Sequence, residues 1–585
     1  MANLLTSFNS GVSGLRAAQT HLTVTSHNLA NAHTIGYTRQ QVLVTDSFYR
    51  NSYSANGNLM QIGTGTTLRY TRQIRNEFLD GQYRLQVGRQ QFYNANAKAT
   101  MEIEDMLGEL HGREFQESIN ELWGAINDIA ADPSDIVKKD QLVMVATLFA
   151  ERAQVLQDEL NTYQTSLNTE VKRQVEDINK IVTEIKALNK QIQKFEATGE
   201  PANDYRDRRN ELLDTLSNYI NFEVNEEVDG TITIYTEGTY LLDSVNQYFL
   251  TTEYESGTSK LLKPVWETGG DFFLRDSLEY SSSNNTDVGG LRGLLVARGN
   301  YAATYVNVPQ KPNPDDYDNE DDYNLALSRF QDDLEVYNKS IGASIVMSVQ
   351  SQLDTLVHGI VTAINNALCP NKEVELDDGT TIRILDMENA LIGDDIDKSV
   401  GVELFSRRGM QRYTQEDVTL ADGSTMTVYR YNEEDPEDIT TMYTTSQLIV
   451  NPTVAKDAST LPTMYSEESG DKKGYAYNEW GAIGLAFDND IGTLNPNSMT
   501  TFTSKTFYRG MITELGTQGN VWNGIIDNQD TTVTTLDNER QNVMGVATDE
   551  ELSDLIKYQQ CYNASSRYIT TVSQMLEYLI ERLGS

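Results

Sequence analysis

Five histidines, His21, His27, His33, His111 and His358, are the first candidates for chemistry, because imidazole both binds metals and moves protons near neutral pH. Three of them stand six residues apart, and on a helix that step turns the chain through about 240°. His21, His27 and His33 therefore face different ways, with no Cys, Asp or Glu among them to complete a zinc set. The chain contains no His-Glu-x-x-His and no Gly-x-Ser-x-Gly. Its two cysteines, Cys369 and Cys561, are too few for a disulfide framework and lie far from any histidine cluster. The acidic run Asp315, Asp316, Asp318, Glu320, Asp321, Asp322 fails as a calcium loop, since counting from Asp316 the sixth position is Asp321, where the sharp turn needs Gly. Gly63-Thr64-Gly65-Thr66 lacks the third Gly and the Lys-Ser/Thr pair of a phosphate loop. Tyr429, Tyr431, Tyr443, Tyr465, Tyr475 and Tyr477, with Trp480, could line a carbohydrate or protein surface, although aromatics are ordinary sheet residues. The sequence thus nominates no catalytic residue, no cofactor and no metal.

What the chain does organise lies at its ends. The first 45 residues hold no Asp or Glu, although the whole chain holds 86 and carries a formal net charge of −40. Leu4, Phe8, Gly11, Leu15, Ala18, Leu22, Thr25 and Leu29 recur there at alternating steps of four and three, the narrow seam of a coiled coil. Leu555, Tyr558, Tyr562, Ser565, Ile569, Val572, Leu576, Leu579 and Leu583 repeat the pattern at the other end. Termini usually fray, so two terminal seams are expected to pair with each other, with neighbouring copies, or both.

Between the seams, Ser26-His27-Asn28-Leu29-Ala30-Asn31-Ala32-His33-Thr34-Ile35-Gly36-Tyr37-Thr38-Arg39-Gln40 resembles the signature that opens the axial proteins of the bacterial flagellum: rod, hook and hook-associated proteins. An Asn-rich stretch closing at Gly36 can end a helix and release an extended chain. Arg540-Gln541-Asn542-Val543-Met544-Gly545-Val546, Asp549-Glu550-Glu551-Leu552 and Tyr558-Gln559-Gln560-Cys561-Tyr562-Asn563-Ala564-Ser565-Ser566-Arg567 are similar to the end of members that join hook to filament. Ala131-Asp132-Pro133-Ser134-Asp135 and Asp207-Arg208-Arg209-Asn210-Glu211-Leu212-Leu213-Asp214 favour the same members over rod or hook subunits.

The resemblance implies an assembly interface made of Leu4, Phe8, Leu15, Leu22, Asn28, Leu29, Asn31, Gly36 and Tyr37 with Leu555, Tyr558, Tyr562, Ile569, Val572, Leu576, Leu579 and Leu583. It implies a homo-oligomeric ring, with the hook protein below, a second junction protein towards the filament, and an export chaperone on the C-terminal helix. It also implies export by the flagellar system without a cleaved signal peptide, in keeping with the lack of an apolar signal core in the first 30 residues. Excess negative charge disfavours nucleic acid and anionic membranes as partners, and no 18-residue apolar run suggests a membrane span. A hook or distal-rod subunit is the nearest alternative within the family. A secreted glycan-acting enzyme or adhesin is the alternative from another class.

The expected fold is multidomain α+β: paired terminal helices, a long helical bundle layer and inserted antiparallel β domains. Residues 1–45 with 546–585 form the terminal unit, and 46–220 with 286–369 and 500–545 a mainly helical one. A β-hairpin subdomain takes 221–285 and an outer β insertion 370–499. Helical spacing dominates from Gln90 to Leu216, strongest at Leu156, Leu160, Tyr163, Leu167, Val171, Val175, Ile178, Ile181, Ile185, Leu188, Ile192 and Phe195, with Gly199 and Pro201 as the stop. Gly63-Thr64-Gly65-Thr66, with Leu68 and Arg72 to Tyr83, reads as a short crossing from the terminal helix into a second layer. Two-residue Asp-Gly turns are expected at Asp229-Gly230, Asp378-Gly379 and Asp422-Gly423. The acidic run reads as a solvated loop.

Overall fold

Helix α1 (Ala2–Ala30) ends as its sequence suggests: Asn31 donates to the carbonyl of His27 from both its backbone N–H, at 3.1 Å, and Nδ2, at 3.0 Å, and Gly36 takes φ +78°. The computed structural model describes residues 2–53, 58–110, 112–255, 259–274, 280–317, 319–421, 424–466, 469–470 and 472–583, the side chains at 2–3, 52, 109–110, 112–113 and 583 excepted. His111, Asp318, the Asp422-Gly423 turn and the Leu583 side chain therefore lie outside the described residues.

Strands β1 (Gln40–Asp46), β2 (Tyr49–Tyr53), β3 (Leu59–Gly63) and β4 (Thr66–Gln73) come next, β1 pairing antiparallel with β4 and β2 with β3. The stretch read as a short crossing is instead part of this ribbon up to Gln73 and, from Glu77, the first helix of the body. Thr, Val and Tyr fill its strands, and such side chains fit a pleated surface. Helices α2 (Glu77–Asp105), α3 (Gly112–Ala131), α4 (Ile136–Glu196) and α5 (Asn203–Leu216) then build the body. Asn76 caps α2 by accepting from the N–H groups of Phe78 and Leu79, and Asp135 caps α4 by accepting from Val137. The α4 stripe is buried at Leu156, Leu160, Leu167, Val171, Val175, Ile178, Ile181, Ile185 and Ile192, while Phe195, in the last turn, is exposed. Gly199 stops the helix with φ +91°.

Strands β5 (Glu223–Glu226), β6 (Ile232–Thr236) and β7 (Thr239–Leu242) form one small sheet, and β8 (Leu250–Tyr254) with β9 (Leu262–Trp266) another. The β5–β6 loop is longer than the two-residue turn expected. Glu227 N–H donates to Thr231 O at 2.8 Å, leaving three loop residues, with Gly230 at φ +80° and Asp229 Oδ1 accepting from Thr231. An equivalent bond from Leu376 N–H to Thr380 O closes the Asp378-Gly379 loop. A type I turn followed by a left-handed Gly relieves the splay that a bare type I turn imposes.

Helices α6 (Gly290–Arg298), α7 (Glu320–Lys339) and α8 (Ile345–Leu368) follow. The acidic run is only partly loop: Glu320, Asp321 and Asp322 are the first turn of α7, capped by Asn319. Carboxylates at a helix N-terminus complement its dipole. Strands β10 (Asn371–Glu375), β11 (Thr381–Leu385), β12 (Leu391–Ile392), β13 (Phe405–Arg407), β14 (Tyr413–Thr419), β15 (Thr425–Tyr431), β16 (Leu448–Val450) and β17 (Met464–Tyr465) come next, β10-β11-β15-β14 forming a four-stranded sheet. Helices α9 (Pro452–Lys456) and α10 (Tyr477–Ala486), then β18 (Asp490–Thr493) and β19 (Thr501–Thr503), lead to α11 (Phe507–Met544) and α12 (Thr548–Leu583). Phe405, Tyr443 and Trp480 share one buried core with the α4 and α8 stripes, and Trp123 Nε1 donates to Gly484 O at 3.0 Å. Within 370–500, Ile382, Ile384, Val418 and Val428 of the four-stranded sheet form a separate small core. Most of the aromatics in 370–500 are thus spent on packing.

Candidate functional site

The two terminal helices run antiparallel, so that His21 faces Tyr558 and Asn28 faces Glu551. Closest approach falls where the seam residues are smallest. A Cβ on Gly11 would lie 2.9 Å from Ile569 and from Tyr568, and one on Gly14 would lie 3.3 Å from Ser565 Oγ. Ala18, Thr25 and Val572 are buried there. Leu4, Phe8, Leu15, Leu22 and Leu29 on α1, and Leu555, Tyr558, Ile569, Leu576 and Leu579 on α12, are half-buried. Tyr562 sits at the rim, 36 % exposed. A single seam between two helices covers one side of each, which is why these side chains stay partly open. His21 stacks on Tyr558 with centroids 4.3 Å apart; burial, then Lys557, lowers its pKa, while Asp554 opposes the shift.

At the end of the seam the N-terminal motif closes on the C-terminal one. Asn28, 1 % exposed, has its whole side chain engaged: Oδ1 accepts from Tyr37 OH at 2.8 Å and Gln40 N–H at 3.0 Å, and Nδ2 donates to Gln40 O at 2.9 Å and Glu551 Oε2 at 3.2 Å. Arg39 Nε meets the other oxygen of Glu551 at 2.7 Å, and Arg39 N–H donates to Met544 O at 2.8 Å. Burial, then Asp207, Asp204 and Glu551, raises the Tyr37 phenol, keeping it a hydrogen-bond donor. Asn31 and Gly36 shape the helix end beside this knot. Sequence reasoning named Asn28 and Tyr37 but missed Arg39 and Glu551, which are 512 residues apart.

A second knot joins the C-terminal segment to the body. Arg540, 5 % exposed, donates from Nε to Asp80 on α2 at 2.8 Å and from Nη2 to Asp214 on α5 at 2.7 Å, and lies over the Tyr83 ring at 4.1 Å. Burial alone would lower the Arg540 pKa, but Asp214 and Asp80 turn the shift upward. The α5 motif singled out from sequence supplies Asp214 here and, seven residues earlier, Asp207, which receives Thr38 N–H and Gln73 Nε2. Such a site can hold segments in register; its polar groups are spent on one another. Among the described residues no group of three or more His, Cys, Asp or Glu could hold a metal, and no helix is long and apolar enough to cross a membrane.

Three segments match known families. Residues 100–369 match the flagellar hook-associated protein FlgK helical domain, 540–582 the flagellar basal body rod FlgEFG protein C-terminal region, and 8–38 the flagella basal body rod protein. The two terminal matches are the segments that form the seam and the knots. The flagellar hook-associated protein 1 of Bacillus subtilis (strain 168) is 24% identical over 581 residues, covering 97% of this chain and 96% of that one. Its counterpart from Escherichia coli (strain K12) is 22% identical over 608 residues, covering 98% of each. A solved structure titled the flagellar hook junction protein FlgK from Burkholderia pseudomallei aligns with a TM-score of 0.49 at 11% identity, over 79% of this chain and 100% of that one.

Proposed function

We infer that this chain belongs to the flagellar axial proteins of the hook-associated protein 1 kind, and that it is a structural subunit of the bacterial flagellum at the junction between hook and filament. One observation carries this beyond likeness of sequence. The segments matching rod-type families at the two ends meet in space, Asn28 and Arg39 on Glu551, as one two-helix rod anchored to a helical body. Near-full-length similarity to hook-associated protein 1 favours this over a hook or distal-rod subunit, and over a glycan-acting enzyme or adhesin.

The work of such a subunit is mechanical. Outside the seam, α12 still exposes Ile556, Met575, Tyr578 and Ile580, between 54% and 63% open. Covering them with the terminal helices of neighbouring copies would contribute about 25 cal/mol per Å² of apolar surface removed from water. That surface and the seam residues Leu4, Phe8, Leu15, Leu22, Leu29, Leu555, Tyr558, Tyr562, Ile569, Val572, Leu576, Leu579 and Leu583 make up the assembly interface of this reading. The scarcity of carboxylates in α1 supports it, because like charges repeated by ring symmetry would be buried close together. The finer parts of the reading are the ring, the hook protein and a second junction protein as neighbours, a chaperone on α12 before export, extracellular placement without signal cleavage, and the four-part division stated above.

Electron microscopy of a deletion strain tests it. Hooks without filaments, restored by the full chain, are expected; filaments attached as in the parent would overturn the reading.

A further inference from the structure

Helix α5 carries two carboxylates seven residues apart, Asp207 buried and Asp214 partly buried, whose surroundings differ in kind. Asp214 lies between Arg84 Nε and Arg540 Nη2, each at 2.7 Å. Burial alone would raise its pKa, but the two guanidiniums bring it below the ordinary value. Asp207 is 8 % exposed and, among the described residues, takes its hydrogen bonds from neutral groups: Thr38 N–H donates to Oδ2 at 3.2 Å and Gln73 Nε2 to Oδ1 at 2.7 Å. The neighbouring cation Arg75 is turned to Asp80 at 2.5 Å, its Nη1 reaching only the Thr38 hydroxyl at 3.5 Å. The remaining groups around Asp207 do not neutralise it. Asp204, on the same helix, adds negative charge and meets His27 Nε2 of α1 at 3.7 Å, while Tyr37 faces it as a neutral phenol with Glu551 of α12 beyond.

The position of Asp207 gives this imbalance a consequence. Thr38 precedes β1 and Gln73 ends β4 opposite Gln40, so Asp207 grips the base of the ribbon, where the chain enters and leaves it. Asn203 completes the seat, donating to Thr71 O at 3.1 Å and accepting from Gln73 Nε2 at 2.9 Å. On its far side the ribbon leans on α1, where Thr66 N–H donates to Ser13 Oγ at 3.1 Å. The ribbon is therefore a strap between the terminal rod and the helical body, and Asp207 is its seat on the body.

We propose that Asp207 is the positioning residue of a proton-tightened hinge: the strap is compliant while this carboxylate is charged and seats firmly once it is neutral. An ion withdrawn from water without a counter-ion carries a desolvation cost that two neutral donors only partly offset. Burial pushes the Asp207 carboxyl up to about 6, with the Thr38 hydrogen bonds and Arg75 opposing. In an open hinge the group would return to its ordinary 3.8, so closing takes up a proton below about 6. The closed strap is accordingly favoured as pH falls through 6 and weakened above it, the reverse of a carboxylate held by arginine, such as Asp214. Two carboxylates on one helix are thus given opposite tasks, one a permanent rivet and the other an adjustable seat. The inference concerns the single chain and stands independently of the assembly reading.

Amide hydrogen exchange on the purified full chain, followed at Thr38 from pH 7.5 to 5 and corrected for intrinsic rates, tests it. Protection at Thr38 is expected to rise roughly tenfold on acidification, the gain allowed by the shift from 3.8 to about 6. Asp207→Asn should show the acid level of protection already at pH 7.5 and no further change. His27→Gln and Asp204→Asn should keep the rise, which separates Asp207 from the adjacent pair. A flat profile in the unsubstituted chain would overturn the proposal whether or not the variants fold. So would loss of Thr38 protection in a folded Asp207→Asn at pH 7.5, since the charged carboxylate would then be what holds the strap.

Discussion

Replacing Glu551 with Ala removes the one carboxylate that touches both Arg39 and Asn28. Breaking a fully buried ion pair from one side costs about 3–5 kcal/mol, and two features of this knot reduce that figure. Arg39 is a quarter exposed and keeps Glu550 at 3.6 Å, and Asn28 Nδ2 keeps its bond to Gln40 O. What remains is the 2.7 Å charge-assisted bond from Arg39 and the 3.2 Å bond from Asn28, together about 2 kcal/mol. Since 1.4 kcal/mol is a factor of ten in an equilibrium, local opening should become about 30-fold more frequent. The Gln40 amide reports it, because its N–H donates to Asn28 Oδ1 inside the knot. A double-mutant cycle with Arg39→Met isolates the pair and should return a coupling of about 1.5 kcal/mol. A coupling near zero, or Gln40 exchange accelerated less than about threefold, would mean that the two motifs meet without holding each other.

Leu576→Asp with Leu579→Asp should leave the body folded by circular dichroism, since both positions are half-buried in the single chain, yet abolish filament attachment, while Glu577→Gln with Glu581→Gln is tolerated; normal swimming by the first strain would refute the terminal seam. Gly293→Ala should lower stability by about 1–3 kcal/mol, because its Cβ would stand 2.7 Å from Phe92 O where α6 crosses α2. Gly124→Ala, with nothing within 4 Å of its Cβ, should instead gain about 0.5–1 kcal/mol from helix propensity, and urea unfolding distinguishes the two. Trimming the four-stranded sheet to short turns at 373–383 and 414–430 should spare assembly, whereas deleting all of 370–499 should yield insoluble protein by stripping Phe405, Tyr443 and Trp480 from the main core; a soluble, exported full deletion would contradict that continuity.

Periodicity was legible wherever one element repeats one rule. The α4 stripe, its stop at Gly199 and both terminal seams read directly from spacing, because a helix face records its burial every three or four residues. The ribbon at 40–73 was harder to see. Its strands alternate weakly and its outer side chains stay exposed, Phe48 at 88% and Tyr53 at 75% open, so burial leaves little pattern in the sequence. The start of α7 was hidden by its own acids, which resemble a solvated loop until Asn319 is seen capping them. Tight Asp-Gly turns were foreseen in place but not in length, since one added residue alters the hydrogen bonds and not the residue types.

The sequence by itself determined the apolar faces of the long helices, the stop of α4, and that both termini carry seams poor in carboxylates, because these properties depend on neighbours within a turn or two. Tertiary structure alone decided which of 86 carboxylates matter. Asp207, Asp214 and Glu551 stand in motifs legible in the sequence and Asp80 does not, yet none shows its task along the chain: they become rivets, a seat and a latch only because folding sets them beside Thr38, Arg39, Arg84 and Arg540. A charge costs little when solvated and several kcal/mol when buried without a partner, so the same residue type changes meaning with its surroundings, and partners lying 130 to 512 positions away leave no local trace.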